Sequence, residues 1–177
     1  LPLLPVEEEG RLMDPVLREN FIERVFVYHR WQSLCQFGLT PAKLIDFHTN
    51  HKFSVLAHDE AAYRELGQMV AEAGSADLPQ LRERYATLLM TAMKKRATRK
   101  LHGNVLMHIM GFLKDKIDSG DKAELLDIIE KYRHGKIPLI VPITLLKHHL
   151  RRYPVPYIAR QSYLNPHPEE LMLRNSL

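Results

Sequence analysis

Five of seven consecutive residues near the middle of the chain are lysine or arginine, where residues 94–100 read KKRATRK. No acidic residue interrupts this run, and the following segment, LHGNVLMHIMGFLKDK, keeps histidine and asparagine at helical spacing. Lysine and arginine neutralise phosphates, while asparagine and histidine can hydrogen-bond sugars or base edges. The run therefore predicts a site for a polyanion, with nucleic acid as the first candidate.

The charge of the chain is divided between its two halves. From Lys94 onward there are 16 Lys and Arg against 8 Asp and Glu, whereas residues 1–93 carry 9 against 13. The second half therefore has a net charge of +8 and the first half of −4, which agrees with the overall charge of +4. Such a separation favours a nucleic-acid partner bound on one face.

Two rows of polar residues at helical spacing could form the binding surface. Lys100, Asn104 and His108 form one row, and Lys147 and Arg151 begin another. Residues at i and i+4 share a helix face, so we expect both rows to line one positive groove. Tyrosines interleaved with arginine in the tail suit stacking of unpaired bases. The predicted RNA-binding residues are Lys94, Lys95, Arg96, Arg99, Lys100, His102, Asn104, His108, Lys147, His148, Arg151, Arg152, Tyr157, Arg160, Gln161 and Arg174.

The ten histidines allow a second hypothesis, a catalytic role in nucleotide or DNA-damage chemistry. In that case His102, His108 and His148 would act as acid–base groups. No histidine lies in an HExxH or zinc-finger pattern, so no metal ligand and no catalytic residue is predicted. His51 shares an apolar stripe with Leu44, which favours a hydrogen-bonded core histidine. A third hypothesis is a helical protein-interaction module whose basic face is incidental.

Cysteine content and hydropathy exclude several classes of protein. The single cysteine, Cys35, cannot form an internal disulfide or supply a cysteine-ligated zinc or iron–sulfur site, so no cofactor is expected in this chain. No apolar run approaches the roughly 18 residues that span a bilayer. The opening LPLLPVEEEGRL lacks the basic region of a signal peptide and an initiator Met, which suggests a piece of a longer protein. We expect a cytoplasmic protein with no membrane partner.

The segments that must position these residues have helical periodicity. Thr40 followed by Pro41 predicts a capped helix start, and Asp59 predicts another. Asp121, with glutamate three residues later, is predicted to cap a further helix. The short β-branched stretch IPLIVP is predicted to be an extended connector, with a helix beginning at Pro142.

These patterns together predict an all-α fold. We expect a single compact helical domain of about seven to eight helices over residues 20–177. Prolines near the start of the chain predict an extended segment there, packed on the surface or loosely ordered, over residues 1 to about 18.

Three long strings resemble a known family. HGNVLMHIMGFLK, ELLDIIEKYRHGKIPLIVPITLLKHHL and PYIARQSYLNPHPEELMLRN occur in this order and are similar to the YbgA-type domain of unknown function, over roughly residues 20–175. The opening LPLLPVEEEGRLMDPVLRENFIERVF resembles the last segment of a thiouracil desulfidase (TudS-type) domain. Residues 1–19 are therefore expected to be the tail of that domain, or a linker from it.

The resemblance implies a function for the whole fusion. In such fusions the desulfidase half holds a cysteine-ligated iron–sulfur cluster, which is expected in an N-terminal domain absent from this chain. The fusion resembles bacterial enzymes that convert 4-thiouridine in tRNA back to uridine. The resemblance thus implies a tRNA-binding accessory domain that presents the thiolated nucleotide. Its expected partners are tRNA and the desulfidase domain of the same polypeptide.

Overall fold

The computed structural model describes residues 3–176, which form eight α-helices and no strand. The helices are α1 (Pro15–Gln36), α2 (Pro41–His58), α3 (Glu60–Ala71), α4 (Leu78–Lys94), α5 (Arg99–Gly111), α6 (Ser119–Arg133), α7 (Ile140–Arg152) and α8 (Pro156–Ala159). Short 3-10 helices cover Glu9–Met13, Ser162–Leu164, Glu169–Leu171 and Leu173–Asn175. The predicted all-α fold is confirmed. None of the described helices is both long and apolar enough to cross a membrane.

Polar caps fix where several helices begin. The Thr40 side chain accepts a hydrogen bond from the first turn of α2, and Pro41 takes the first helical position, as predicted. Asp59 caps α3 in the same way. The predicted cap of α6 is wrong, because Asp118 accepts the hydrogen bond from the Asp121 amide at 2.8 Å. The cap therefore lies three residues earlier than the sequence pattern indicated.

The N-terminal segment is less extended than predicted. A 3-10 helix covers Glu9–Met13, and α1 begins at Pro15, so residues 3–8 and Asp14 are the described residues of this segment outside a helix. Residues 1 and 2 lie outside the described part of the chain. Arg24 of α1 donates a hydrogen bond to the Val6 carbonyl at 2.9 Å, which ties the segment to the domain. The boundary expected between residues 19 and 20 falls inside α1.

The prolines around α7 permit more helix than the sequence suggested. The helix begins at Ile140, two residues before Pro142, so half of the predicted extended connector is helical. Proline is tolerated there because the first amides of a helix have no intrahelical acceptor to lose. After α8, the chain turns and continues as the 3-10 helix Ser162–Leu164.

Two apolar cores meet at α2. Leu44, Phe47 and Val55 pack with α1, α3 and α4. Phe53 and Leu56 pack with α5, α6, α7 and the segment after α8. Because α2 serves both cores, its second half is buried on nearly every side. This shared helix joins the two groups of helices and fixes the relative positions of α4, α5 and the C-terminal segment.

Candidate functional site

The basic run lies at the junction of α4 and α5, with most of its side chains at the surface. Lys94, Lys95 and Arg96 are exposed, whereas Ala97 is buried. Thr98 then caps α5, and its hydroxyl accepts a hydrogen bond from the first turn at 3.2 Å. A buried small residue and a capped helix start therefore hold the three cations in solvent.

The first turn of α5 lies beside the last turn of α6. The Arg99 guanidinium carbon is 6.0 Å from the centroid of the Tyr132 ring. Gly135 follows α6 with φ of +72°, and a Cβ atom at this position would lie 2.8 Å from Nη1 of Arg99. Glycine therefore allows both the left-handed turn that ends α6 and the close approach of Arg99.

Asn104 also faces α6. Arg133 donates a hydrogen bond from Nη2 to Oδ1 of Asn104 at 3.2 Å, and from Nη1 to Glu130 at 2.8 Å. Gly103 lets the arginine stem lie against α5, because a Cβ atom there would be 2.9 Å from Cγ of Arg133. Arg133 was not predicted as a site residue. The only sequence signal for this contact is Gly103 in an early turn of α5, because a glycine inside a helix can indicate that another part of the chain packs closely there.

We use the name α5–α6 basic surface for Arg99, Asn104 and Arg133, together with two exposed lysines that are their neighbours in sequence: Lys100 follows Arg99, and Lys136 follows Gly135. Some cations of this surface and of the α4–α5 junction form ion pairs with carboxylates, and others do not. Lys95 pairs with Asp59, and Arg133 pairs with Glu130. Within residues 3–176, the cations here without an ion-pair partner are Lys94, Arg96, Arg99, Lys100 and Lys136.

His108 and Tyr157 belong to a separate strip of aromatic and cationic side chains between α2, α5 and α8. The His108 ring lies over Phe53 with centroids 6.3 Å apart, and Phe112 lies 5.4 Å from Tyr157. The Lys52 ammonium is 5.0 Å from the Tyr157 ring centroid and 5.5 Å from that of Phe53. We call these five residues the aromatic strip. Exposed rings beside a cation can stack unpaired bases.

Lys147 and Arg151 line a different cleft. It has a volume of about 360 Å³ and lies between α7 and the C-terminal segment, residues 164–175. None of Lys100, Asn104 and His108 lines it. The two predicted rows therefore do not share this cleft, and the prediction of a single positive groove is wrong. Asn104 faces α6 and His108 faces α2, because α5 turns its polar row toward those helices.

Three predicted RNA contacts are buried and engaged inside the fold. His102 shares a hydrogen bond with the Tyr163 hydroxyl at 2.9 Å, and Gln161 donates to the Thr49 carbonyl at 2.8 Å. Arg174 is only 5% exposed. Side chains without solvent access cannot reach an RNA at the surface. The prediction of RNA contacts at His102, Gln161 and Arg174 is therefore wrong, and these residues stabilise the fold.

Arg174 forms the centre of a buried charge cluster with two glutamates of α1. Its Nε donates to Glu19 at 2.9 Å, its Nη2 lies 3.8 Å from Glu23, and its Nη1 donates to the Tyr163 carbonyl at 2.7 Å. His58 Nε2 is 3.6 Å from the same Glu23 carboxylate. Burial opposes ionisation of Glu23, but His58 and Arg174 together hold the pKa of this carboxyl below its usual range.

The three histidines of the catalytic hypothesis lie in different environments. His102 is buried, and burial lowers its pKa to about 3, so it is neutral near pH 7. His108 stacks on Phe53, and His148 is exposed on α7 with its ring 5.5 Å from that of His149. No group of three or more His, Cys, Asp or Glu side chains within residues 3–176 is placed to hold a metal ion. These contacts give the three rings no common site.

The remaining predicted residues are surface cations. Arg160 pairs with Asp46 at 2.9 Å. Arg152 is exposed and lies over the Tyr153 ring at 5.6 Å. Arg160, at the end of α8, and Arg152, at the end of α7, remain predicted RNA contacts.

His51 and Cys35 have the environments of structural residues. His51 is buried, with its Nδ1 2.8 Å from the Phe47 carbonyl and its pKa lowered by burial to about 4, which confirms the predicted core histidine. Cys35 is half-buried, and burial raises the pKa of its thiol. A raised pKa makes this thiol a poor nucleophile.

Comparison with known proteins identifies the family. A family described as "Protein of unknown function (DUF1722)" matches residues 52–168, which include α5, α6, α7 and the basic run. The chain is 33% identical over 159 residues to "Uncharacterized protein YbgA" of Escherichia coli (strain K12), covering 89% of this chain and 94% of that protein. No solved structure matches the chain. The chain therefore belongs to the YbgA-like DUF1722 family.

Proposed function

We propose that this chain is an RNA-binding accessory domain whose ligand is tRNA, and that it presents a thiolated nucleotide to a desulfidase domain in the same polypeptide. The observation that carries RNA binding is the set of unpaired cations at the α4–α5 junction and the α5–α6 basic surface. A cation already paired with a carboxylate attracts a phosphate less strongly than an unpaired cation does. An unpaired one can neutralise a phosphate and release condensed counterions.

The start of α5 adds a second electrostatic argument. Its first turn carries Arg99 and Lys100 and no acidic residue. The amino end of a helix has a partial positive charge and favours negative groups, so two cations there oppose the stability of the helix alone. A phosphate bound beside them would offset that repulsion. The arrangement is therefore better suited to a bound anion than to an isolated helix.

The aromatic strip supplies the groups for contacts with bases. Phe112 is 43% exposed, and His108 is also exposed, so both rings can be reached by an unpaired base. Lys52 beside Tyr157 can hold the adjoining backbone. A basic surface and a stacking surface on one domain favour RNA with both paired and unpaired parts, as in tRNA.

The thiolated nucleotide and the desulfidase partner rest on the resemblance of the sequence to desulfidase fusions. In this proposal the iron–sulfur cluster and the removal of sulfur belong to the desulfidase domain. This chain contributes binding and orientation of the tRNA. A tRNA ligand also places the protein in the cytoplasm.

The proposal is tested by fluorescence anisotropy with labelled tRNA and two matched double variants. Arg96→Ala with Lys100→Ala removes two unpaired cations and should weaken binding roughly tenfold or more. Arg82→Ala with Arg84→Ala removes the same charge from exposed positions on α4 that have no ion-pair partner among residues 3–176, and it should change the affinity less than about twofold. Equal losses from both variants would show diffuse attraction by net charge and would refute a site.

A further inference from the structure

The cleft beside α7 has the volume of a small-molecule site. Its volume of about 360 Å³ lies within the range of about 300 to 1,000 Å³ that is usual for ligand pockets. One wall is a face of α7 with Lys147 and Arg151 one turn apart, and the other wall is the C-terminal segment, residues 164–175. The lining is therefore built from two parts of the chain that are separated by residues 152–163.

The lining combines three kinds of group. Lys147 and Arg151 supply positive charge, and the side-chain amides of Asn165 and Asn175 supply donors and acceptors. Ile143 and its apolar neighbours supply an apolar surface. A phosphate alone would leave the amides and the apolar surface unused, and an apolar ligand would leave both cations unused. A nucleotide uses all three, through its phosphate, the edge of its base and the face of its base.

A carboxylate of the chain itself, that of Glu169, already forms an ion pair with one of the two cations, Lys147. The Glu169 carboxylate accepts a hydrogen bond from Nζ of Lys147, and this contact lowers the pKa of the Glu169 carboxyl. The Glu169 side chain is mostly exposed, so it can leave Lys147 at little cost. Arg151 has no ion-pair partner among residues 3–176. The cleft thus keeps a replaceable carboxylate where a phosphate would bind.

The C-terminal wall is preorganised. Met172 has φ of +52° and ψ of +26°, a left-handed conformation that a methionine rarely adopts. Two residues later, Arg174 is fixed by Glu19 and by the Tyr163 carbonyl inside the domain. This buried anchor holds the chain on the C-terminal side of the left-handed turn beside the cleft.

We propose that the α7–C-terminal cleft binds one nucleotide, with its phosphate on Lys147 and Arg151 and its base beside Asn165 and Asn175. The nucleotide is either free in solution or an unpaired nucleotide of an RNA. The second source rests on the proposed RNA-binding function, whereas the first does not.

The test is a titration of the whole chain by isothermal calorimetry with uridine 5′-monophosphate, inorganic phosphate and a four-residue oligouridylate. We expect saturable binding of uridine 5′-monophosphate, at least about tenfold tighter than that of phosphate. Lys147→Ala with Arg151→Ala should weaken it at least about tenfold, and Glu169→Gln should tighten it about two- to fivefold. Arg82→Ala with Arg84→Ala is the control and should leave it unchanged.

Three results would overturn the nucleotide site: no saturable binding, equal affinity for phosphate and the nucleotide, or no effect of the cleft variants. If the site exists, tighter binding of the oligouridylate assigns it to RNA, and tighter binding of the monophosphate assigns it to a free nucleotide. Saturable nucleotide binding by a chain that does not bind tRNA would refute only the RNA-binding function. tRNA binding without nucleotide binding would refute only the cleft.

Discussion

Acidification from pH 8 to pH 5 should strongly destabilise this fold, because several histidines are buried as neutral rings. Burial lowers the pKa of His48 and His51 to about 4, and that of His102 to about 3, from an ordinary value of 6.5. The unfolded chain therefore binds protons below pH 6.5 that the folded chain does not bind until near pH 4. Stability is complete above pH 6.5 and is lost as the pH falls through this window.

The size of the loss follows from the three pKa values. At pH 5 each unfolded histidine is almost fully protonated and each folded one is almost neutral, which costs about 2 kcal/mol per ring. The three rings together cost about 6 kcal/mol, which is comparable with the whole stability of many domains. Burial raises the pKa of Glu19, so this carboxyl takes up a proton earlier in the folded state and offsets part of the loss.

Urea denaturation followed by far-UV circular dichroism at pH 8, 7, 6 and 5 measures this effect. His51→Gln should reduce the pH dependence by about 2 kcal/mol, since it removes one buried titrating group. His134→Gln is the control, because His134 is exposed at the end of α6 and its replacement leaves every buried histidine in place. A free energy of unfolding that stays constant within about 1 kcal/mol from pH 8 to pH 5 would refute the reasoning.

Two further predictions concern the buried charge cluster and the α5–α6 contact. Arg174→Met should lower the free energy of unfolding by about 3 to 5 kcal/mol, because it leaves Glu23 buried without its cation. Arg160→Met, at an exposed ion pair, should cost less than about 1 kcal/mol; equal losses in urea denaturation would contradict this. Gly103→Ala should push Arg133 off α5 and weaken tRNA binding about two- to fivefold at unchanged net charge, as measured by anisotropy. An unchanged affinity would show that Arg133 does not contribute.

Local signals in the sequence were sufficient to predict where α2 and α3 begin. Thr40 and Asp59 cap their helices through hydrogen bonds that need only the next few residues. The start of α7 could not be predicted in this way. The prolines and β-branched residues of IPLIVP favour extended backbone locally, but packing of Leu139 and Ile143 into the core selects a helix there.

The buried charges of α1 were not predictable from periodicity. Hydrophobic patterning places charged residues at the surface, yet Glu23 is 2% exposed, and Arg24 is also buried. What makes Glu23 tolerable inside the fold is Arg174, which lies 151 residues further along the chain. Such a pairing is a property of tertiary structure. Because Arg174 is buried together with Glu23, it cannot make the RNA contact that was predicted for it.

Helical faces predicted the rows of the candidate site but not how the helices pack. Lys100 and Asn104 do share a face of α5, as their spacing indicated. The neighbour of that face is α6, whose Arg133 fills the space that was expected to lie open toward α7. Spacing within one helix does not determine which helix packs beside it, so the partner cleft of Lys147 could be found only in the structure.

The salt dependence of tRNA binding tests the central claim most directly. Five unpaired cations around the start of α5 should give a log–log slope of roughly −3 to −5 between 50 and 200 mM salt, at about −0.7 to −0.9 per neutralised phosphate. Replacing Arg96 and Lys100 together with alanine should flatten the slope by about 1 to 2 units. A chain that fails to bind tRNA at 50 mM salt, or a slope that this double variant leaves unchanged, would contradict the account.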